Sequence, residues 1–280
     1  MAYPIIVCIP KRLPKRERIR AAKTAYEINP VNHAPLSALM SVAPGFKPTP
    51  AALAIVRTSY WGAAGVTLTV GFLDNPPQNL RTRILSHMNA WAKSANVKFV
   101  ASNTDPQVRI ARGGGRDGGY WSYVGTDILH IARRKPTMNL EDFSMSTPES
   151  EFHRVVRHET GHTLGFPHEH MRRQLVKLID RQKAFAYFKR EDGWDQQEVI
   201  DQVLTPIEDS QLLATPRADP RSIMCYQIPG SITKNGKPII GGRDIDRTDY
   251  AFAAQVYPKS GKAPPKPRRK GRKTTREGSK

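Results

Sequence analysis

The chain has 280 residues, 39% of them hydrophobic, and it carries a formal net charge of +19. This length is sufficient for one domain of about 200 residues with a hydrophobic core, together with terminal extensions. No apolar run approaches the roughly 20 residues of a membrane-spanning helix, so the sequence argues against a membrane span. With only Cys8 and Cys225, the chain cannot form a disulfide-rich secreted scaffold.

The positive charge is concentrated at the two ends of the chain. Residues 1–50 are rich in proline and hold two acidic residues, whereas residues 259–280 hold ten Lys or Arg and one Glu. We therefore predict a basic N-terminal extension over 1–50, a folded domain over 51–258 and a basic disordered tail over 259–280. The tail is either a solvated segment or a binding segment for an anionic partner such as nucleic acid or an acidic surface.

The N-terminus does not resemble a secretory signal. Its short apolar stretch contains two prolines and precedes the basic cluster, which is the reverse of the usual order. We therefore expect a protein that stays in the cytoplasm or leaves the cell by a leaderless route. The expected assembly state is a monomer.

Helices and strands follow one another in the first half of the chain. Residues 66–73 alternate apolar and polar side chains, which indicates a strand, and residues 77–95 place apolar side chains at helical spacing. A glycine-rich loop is expected at 113–119. In chain order, the predicted elements are a helix near 14–28, a strand at 66–73, a helix at 77–95, and strands at 97–100, 107–112 and 120–128.

The second half contains predicted helices. The first is predicted to begin with Thr147 as the N-cap and Pro148 as the first helical residue. Gly165, in a left-handed conformation, is expected to end it. Helical patches are expected at 181–188 and 197–204. A last helix is expected between an Asp246 cap, supported by Asp249, and Pro258.

The first of these helices carries a histidine motif. His158 and His162 are four residues apart, so a helix places both imidazoles on one face, with Glu159 beside them. A turn at Gly165 allows the chain to return and to present His168. Three neutral imidazoles leave one position open on zinc, which is typical of a catalytic site.

The alternative is a histidine-rich surface helix. Five fixed residues at this spacing arise by chance in such a chain at a frequency on the order of one in 10⁵, so we favour one catalytic zinc ion. His170 lies outside the motif, and we expect a supporting or surface position for it.

On this motif the chain resembles the metzincin metallopeptidases, and in particular the astacin-like branch of bacterial or leaderless type. Four stretches carry the resemblance, with the last predicted helix in support: "GGYWSYVGTD", "PTMNL", "HETGHTLGFPHEHMR" and "SIMCY". The resemblance implies that residues 51–258 are a catalytic domain with the α+β zincin fold. Such a domain has a small, twisted, mostly parallel sheet, an active-site helix, and a zinc cleft between an upper and a lower subdomain.

The resemblance also implies a role for individual residues. His158, His162 and His168 match the zinc ligands, and Glu159 matches the general base. Tyr226 matches a tyrosine that ligates zinc at rest and then stabilises the intermediate, and Met224 matches the Met-turn residue beneath the metal. The upper edge strand that pairs with substrate is matched by Trp121, Ser122, Tyr123, Val124 and Gly125.

The two cysteines mark departures from the family pattern. Cys225 stands where astacins usually have His. Cys8 is interpreted as a buried or incidental cysteine, because its surroundings do not resemble a cysteine-switch motif; a thiolate that blocks the zinc is the alternative.

We therefore predict a zinc metalloendopeptidase that cleaves proteins or peptides with a zinc-bound water assisted by Glu159. One alternative is a zinc-binding protein that captures peptides or anionic partners without cleaving them. Another is a delivered effector protease.

Overall fold

The computed structural model describes residue 8 and residues 11–32, 59–206 and 217–259. A five-stranded sheet with the order β2-β1-β3-β5-β4 forms the upper part of the domain. The first four strands of this order are parallel, and β4 pairs antiparallel with β5 at one edge. The strands are β1 (Val66–Phe72), β2 (Val97–Ala101), β3 (Val108–Ala111), β4 (Tyr120–Ser122) and β5 (Met138–Leu140).

Helices pack on the sheet and continue below it. A π-helical turn, Phe152–Val156, joins two short α-helices into what we call the active-site helix, residues 149–163. The α-helices are α1 (Lys15–Ile28), α2 (Gln78–Met88), α3 (Glu149–Glu151), α4 (Arg157–Thr163), α5 (Arg173–Val176), α6 (Arg181–Glu191), α7 (Gln196–Val199) and α8 (Arg247–Val256).

Most of the predicted elements are confirmed, including α1, α2, α6 and the first three strands. The last helix begins after Asp246, whose side chain accepts from the Asp249 N–H in a capping box, as expected. Gly165 has the predicted left-handed conformation, with φ +95°.

Two local predictions are wrong. The strand expected at 120–128 ends at Ser122, and a 3₁₀ helix, Gly125–His130, replaces its second half. A positive φ of 52° at Gly125 turns the chain away from the sheet. Thr147 does not cap the active-site helix: Pro148 takes the N-cap position, and the Thr147 hydroxyl accepts from the Ser144 N–H instead.

Buried apolar residues form two clusters. The first lies between the sheet, α2, the active-site helix and α8, and includes Trp91, Phe152 and Met224. The second includes Phe188, Trp194 and Tyr226. The change from one cluster to the other falls between Met224 and Cys225, next to the histidine motif.

The described part of the N-terminal extension packs against the domain. Leu13 is 2% exposed and Ala25 is fully buried. The Asn32 side chain donates to the Tyr60 carbonyl at 2.7 Å and accepts from the Tyr60 N–H at 2.9 Å. Residues 11–32 therefore pack against the domain.

Within the described ranges, no helix is long and apolar enough to cross a bilayer. The predicted basic tail lies outside those ranges except for Lys259, and so does the predicted boundary between residues 50 and 51.

His87 on α2 joins a polar cluster at the start of the active-site helix. Its Nε2 lies 3.1 Å from Glu149, and its Nδ1 accepts from Arg157 at 3.3 Å. Burial lowers the pKa of His87, and the guanidinium of Arg157 acts in the same direction although Glu149 opposes it.

We expect His87 to make the fold sensitive to acid. A histidine whose pKa is lowered by folding takes up its proton more readily when unfolded, so stability falls as the pH drops below about 6.5. The free energy of unfolding, measured from pH 7.5 to 5, should therefore fall less steeply in His87→Gln than in the unaltered protein. Equal slopes would contradict this prediction.

Candidate active site

Three histidines converge in the cleft because the active-site helix ends in a sharp turn. His158 and His162 lie on successive turns of α4, and all three side chains are at most 7% exposed. The left-handed Gly165 directs the chain back towards the helix, which brings His168 opposite the first two. A Cβ at Gly165 would also lie 3.0 Å from the Ser59 carbonyl oxygen, so the turn has little space for a side chain.

The imidazole nitrogens have the geometry of a metal site. The Nε2 atom of His168 lies 3.2 Å from that of His158 and 3.0 Å from that of His162. Tetrahedral zinc with bonds of about 2.0–2.1 Å would hold such nitrogens at about 3.3–3.4 Å. The three atoms therefore need only small shifts to ligate one zinc ion.

Hydrogen bonds on the outer side of two rings fix their tautomers. Nδ1–H of His158 donates to the Ile223 carbonyl at 2.6 Å, and Nδ1–H of His162 donates to the Phe166 carbonyl at 2.8 Å. The Nε2 atoms of His158 and His162 therefore carry lone pairs, and both atoms lie close to Nε2 of His168. That single nitrogen cannot donate a hydrogen bond to both. A cation between the rings resolves this repulsion.

Burial also keeps these imidazoles neutral, as metal ligands must be. It lowers the pKa of His158 to about 4, against a partial increase from the bond to Ile223. The pKa values of His162 and His168 are also well below the usual value, with burial as the largest cause. Neutral nitrogens are therefore available to a metal at physiological pH.

The fourth corner of the group is taken by Cys8. Its sulfur and one nitrogen from each of the three histidines all lie within 4.8 Å of one another. The residue is 5% exposed, and it has no metal-ligating partner near it in sequence. Cys8 is buried, as interpreted, and its position among the histidines favours the alternative of a thiolate that blocks the zinc. Thiolate is a strong zinc ligand, so Cys8 is placed to bind a zinc ion together with the three histidines.

Glu159 is positioned beside the metal ligands rather than among them. It is 1% exposed, and its Oε2 atom has no hydrogen-bond partner among the described residues. Burial raises the pKa of Glu159 to about 8, while the nearby Cys8 thiol and Arg154 oppose that increase. The positive charge of a zinc ion on the adjacent histidines would lower the pKa of Glu159 again, which suits this side chain to accept and return a proton.

Tyr226 packs between two histidine rings. Its ring centroid lies 4.2 Å from that of His168 and 4.2 Å from that of His170, which it stacks upon. Burial raises the pKa of Tyr226 well above its usual value, and the adjacent Cys8 thiol acts in the same direction. His170 is fully buried and so supports this tyrosine from within the core.

Met224 lies beneath the site in a turn anchored by Asp249 at the start of α8. The Asp249 carboxylate accepts from the Ser222 hydroxyl at 2.5 Å and from the Ile223 N–H at 2.9 Å. The Ile223 carbonyl orients the His158 ring, so this segment connects α8 to a metal ligand. The placement agrees with the predicted Met-turn.

Gly161 provides the space for Met224. A Cβ at this position would overlap the Met224 sulfur and lie 3.2 Å from the Trp91 ring. We expect Gly161→Ala to lower the free energy of unfolding by about 1–3 kcal/mol, because the packed core must expand. Gly113→Ala is the control, since a Cβ there meets nothing within 4 Å. Chemical denaturation of both variants checks the prediction, and an equal effect in the two would contradict it.

The predicted substrate strand is only partly a strand. Trp121 and Ser122 belong to β4 at the sheet edge, whereas Gly125 begins a 3₁₀ helix. Tyr123 forms an isolated parallel bridge with Lys11, and the Lys11 N–H donates to the Ser122 carbonyl at 3.1 Å. The chain's own N-terminal segment thus occupies this edge.

Comparison with known proteins agrees with this geometry. A family model described as Astacin, a peptidase family, matches residues 57–228. The zinc metalloproteinase nas-27 of Caenorhabditis elegans is 27% identical over 182 residues, which cover 62% of this chain and 36% of that protein. The chain therefore spans only about a third of the length of nas-27.

Two solved structures of myroilysin are similar to this fold. They are 31% and 30% identical to the chain, with TM-scores of 0.67 and 0.54. The similarity covers 73% and 72% of this chain, and 98% and 86% of the two myroilysin chains. These relationships confirm the predicted α+β zincin fold. Since the family model matches more than half of the sequence, the chain belongs to the astacin family of zinc metallopeptidases, and its cofactor is one catalytic zinc ion.

Proposed function

We propose that the protein is a zinc-dependent endopeptidase. The observation that carries the proposal is the convergence of three neutral imidazoles with a buried, partly unpartnered carboxylate beside them. When bound, zinc supplies Lewis acidity, which polarises a substrate carbonyl and makes water nucleophilic near neutral pH.

The side chains of the protein supply the proton transfers and the positioning. Glu159 accepts a proton from the attacking water and delivers it to the leaving amine. The buried Tyr226 hydroxyl is available to donate to the oxyanion of the intermediate. The edge of β4 offers backbone groups to an extended peptide, which favours cleavage within unfolded or loop segments.

We also infer that the described arrangement is a latent state. Cys8 fills the fourth corner of the ligand group, and Lys11 occupies the strand edge that an extended substrate would use. Nζ of Lys11 pairs with Asp117 at 3.2 Å and lies 4.9 Å from the centre of the Trp121 ring. Cys8 and Lys11, three residues apart, therefore cover the ligand group and the substrate edge.

A full-length double variant, Cys8→Ser/Lys11→Pro, removes both contacts and is called the released variant below. Serine lacks the thiolate, and proline at position 11 lacks the N–H that reaches Ser122. The variant keeps α1 and the Asn32 contacts.

The test is a cleavage assay on a diverse pool of unstructured peptides, with zinc content measured in the same preparation. The released variant should bind one zinc per chain and should cut internal peptide bonds, and a chelator should abolish the cuts. A zinc-loaded protein without cuts would instead indicate a peptide-binding protein. Removal of terminal residues alone would indicate an exopeptidase.

A further inference from the structure

A second group of metal-ligating side chains lies at the start of the active-site helix, outside the catalytic site. It consists of His87 on α2 together with Glu149 and His153 on the active-site helix, and we call it the helix-start group. One ligand atom of each residue lies within 4.8 Å of those of the other two. Glu149 and His153 are four residues apart, so the helix places both side chains on one face.

The separations within the helix-start group suit a zinc ion. Oε1 of Glu149 lies 3.1 Å from Nε2 of His87 and 3.4 Å from Nε2 of His153. Two imidazoles and one carboxylate form a common zinc donor set, and ligands around tetrahedral zinc are about 3.3–3.4 Å apart. Arg83 pairs with the other oxygen of Glu149, so Oε1 stays directed at the two imidazoles. Glu149 is 57% exposed, so water can supply the fourth ligand.

Asp244 fixes the orientation of His153 from the other side of its ring. Nδ1–H of His153 donates to Oδ2 of Asp244 at 2.9 Å, and a carboxylate in this position orients many zinc-bound histidines. Nε2 of the neutral ring therefore carries a lone pair, which lies 3.4 Å from the Glu149 carboxylate. Two electron-rich atoms at this distance repel each other, and a cation between them removes the repulsion.

Arg157 provides positive charge in the absence of a metal. Its Nε donates to Nδ1 of His87 at 3.3 Å, and its Nη2 lies 3.2 Å from Nε2 of His153. It also pairs with Asp244 at 2.6 Å. The two imidazole contacts oppose a metal, because they engage the His153 lone pair and leave the proton of His87 on Nε2. Zinc therefore binds only when Arg157 gives up both imidazoles, which makes this site weaker than the catalytic one.

We propose that His87, Glu149 and His153 bind a second zinc ion, which takes no part in the reaction and holds the active-site helix against α2. The helix that carries two catalytic ligands is then tied to its neighbour, so occupancy stabilises the folded domain. Protein prepared without added zinc should keep only the catalytic ion, because Arg157 competes for two of the three donors. The alternative is an ion-pair network that binds no metal.

The test is a calorimetric titration with zinc chloride of the unaltered, full-length protein, which already holds its catalytic ion. One further ion should bind per chain. Glu149→Gln and His153→Gln should each weaken this binding by at least about tenfold, the cost of losing even a hydrogen-bonding partner of a ligand. Arg157→Gln should instead strengthen it several-fold, because the competing guanidinium is gone. Zinc content before the titration should be one ion per chain in every variant.

Glu151→Gln and His130→Gln are the matched controls. Glu151 lies on the same helix but pairs with Arg154, and His130 ends the 3₁₀ helix Gly125–His130. Neither belongs to a ligand group of the described residues, so both variants should bind the second ion as the unaltered protein does. Thermal unfolding is an independent measurement: excess zinc should raise the unfolding temperature of the controls more than that of His153→Gln.

Crystals grown with added zinc should show anomalous scattering within about 2.1 Å of Nε2 of both His87 and His153. Uptake of no second ion would overturn the inference. Equally tight uptake by the unaltered protein, Glu149→Gln and His153→Gln would also overturn it, because the ion would then lie elsewhere. No cleavage is measured in these experiments, so their failure leaves the proposed endopeptidase function untouched.

Discussion

Replacing Glu159 with glutamine is expected to reduce kcat by roughly 10²–10⁴-fold, which is the range that a positioned general base contributes. Glutamine has nearly the same shape, but its amide does not accept the proton that the reaction must remove from water. The side chain lies beside the three histidines and is not one of the converging ligands. Zinc content should therefore remain at one ion per chain.

The measurement compares peptide cleavage by the released variant with and without the Glu159→Gln substitution. The cut sites are mapped by mass spectrometry. Glu169→Gln is a suitable control, because Glu169 is a half-buried carboxylate, 19% exposed, next to a ligand, and it pairs with Arg172 at 3.4 Å. Its Oε1 accepts from the Asp219 N–H at 2.9 Å, a bond that an amide oxygen preserves. Burial raises the pKa of Glu169 to about 7, while the Asp219 N–H and Arg172 oppose that increase. Normal turnover in zinc-loaded Glu159→Gln would refute the proposed role of this residue.

Local sequence predicted the metal ligands because they depend on short-range geometry. Helical periodicity determines that His158 and His162 share a face, and the left-handed Gly165 determines that His168 returns to them. The same reasoning predicted α8, whose start depends on Asp246 and its hydrogen bond three residues away. In each of these cases the interacting groups are at most ten residues apart.

The features that the sequence did not predict depend on long-range contacts. Cys8 reaches a ligand group 150 residues further along the chain, and no local pattern indicates that contact. Only its chemistry, a thiol within a chain that carries a zinc motif, was a signal. The strand at 120–128 was predicted too long because its alternating side chains look β-like. In the structure the chain turns at Gly125, which lies in close contact with the Ser59 backbone, and this turn ends the strand.

Replacing Cys8 with serine in the full-length protein is expected to increase peptide cleavage at least about tenfold. A serine hydroxyl stays protonated at neutral pH and is a poor zinc ligand, whereas a metal-bound thiol is deprotonated outright. The fourth coordination position then becomes available to the reaction. Lys11→Pro alone retains the thiol at the metal, so it should stay largely latent, and the double variant should be the most active.

Cys225→Ser is the matched control for this prediction. Cys225 is also buried, at 4% exposed, and it lies next to Tyr226 in sequence, but it is not among the converging ligands of the described residues. Its substitution should leave the protein latent. Alkylation provides a readout that does not depend on catalysis: Cys8 should be protected in the zinc-loaded protein and should react after chelation. Equal cleavage by the unaltered protein and Cys8→Ser, with Cys8 equally reactive in both metal states, would show that the N-terminal segment does not inhibit the enzyme.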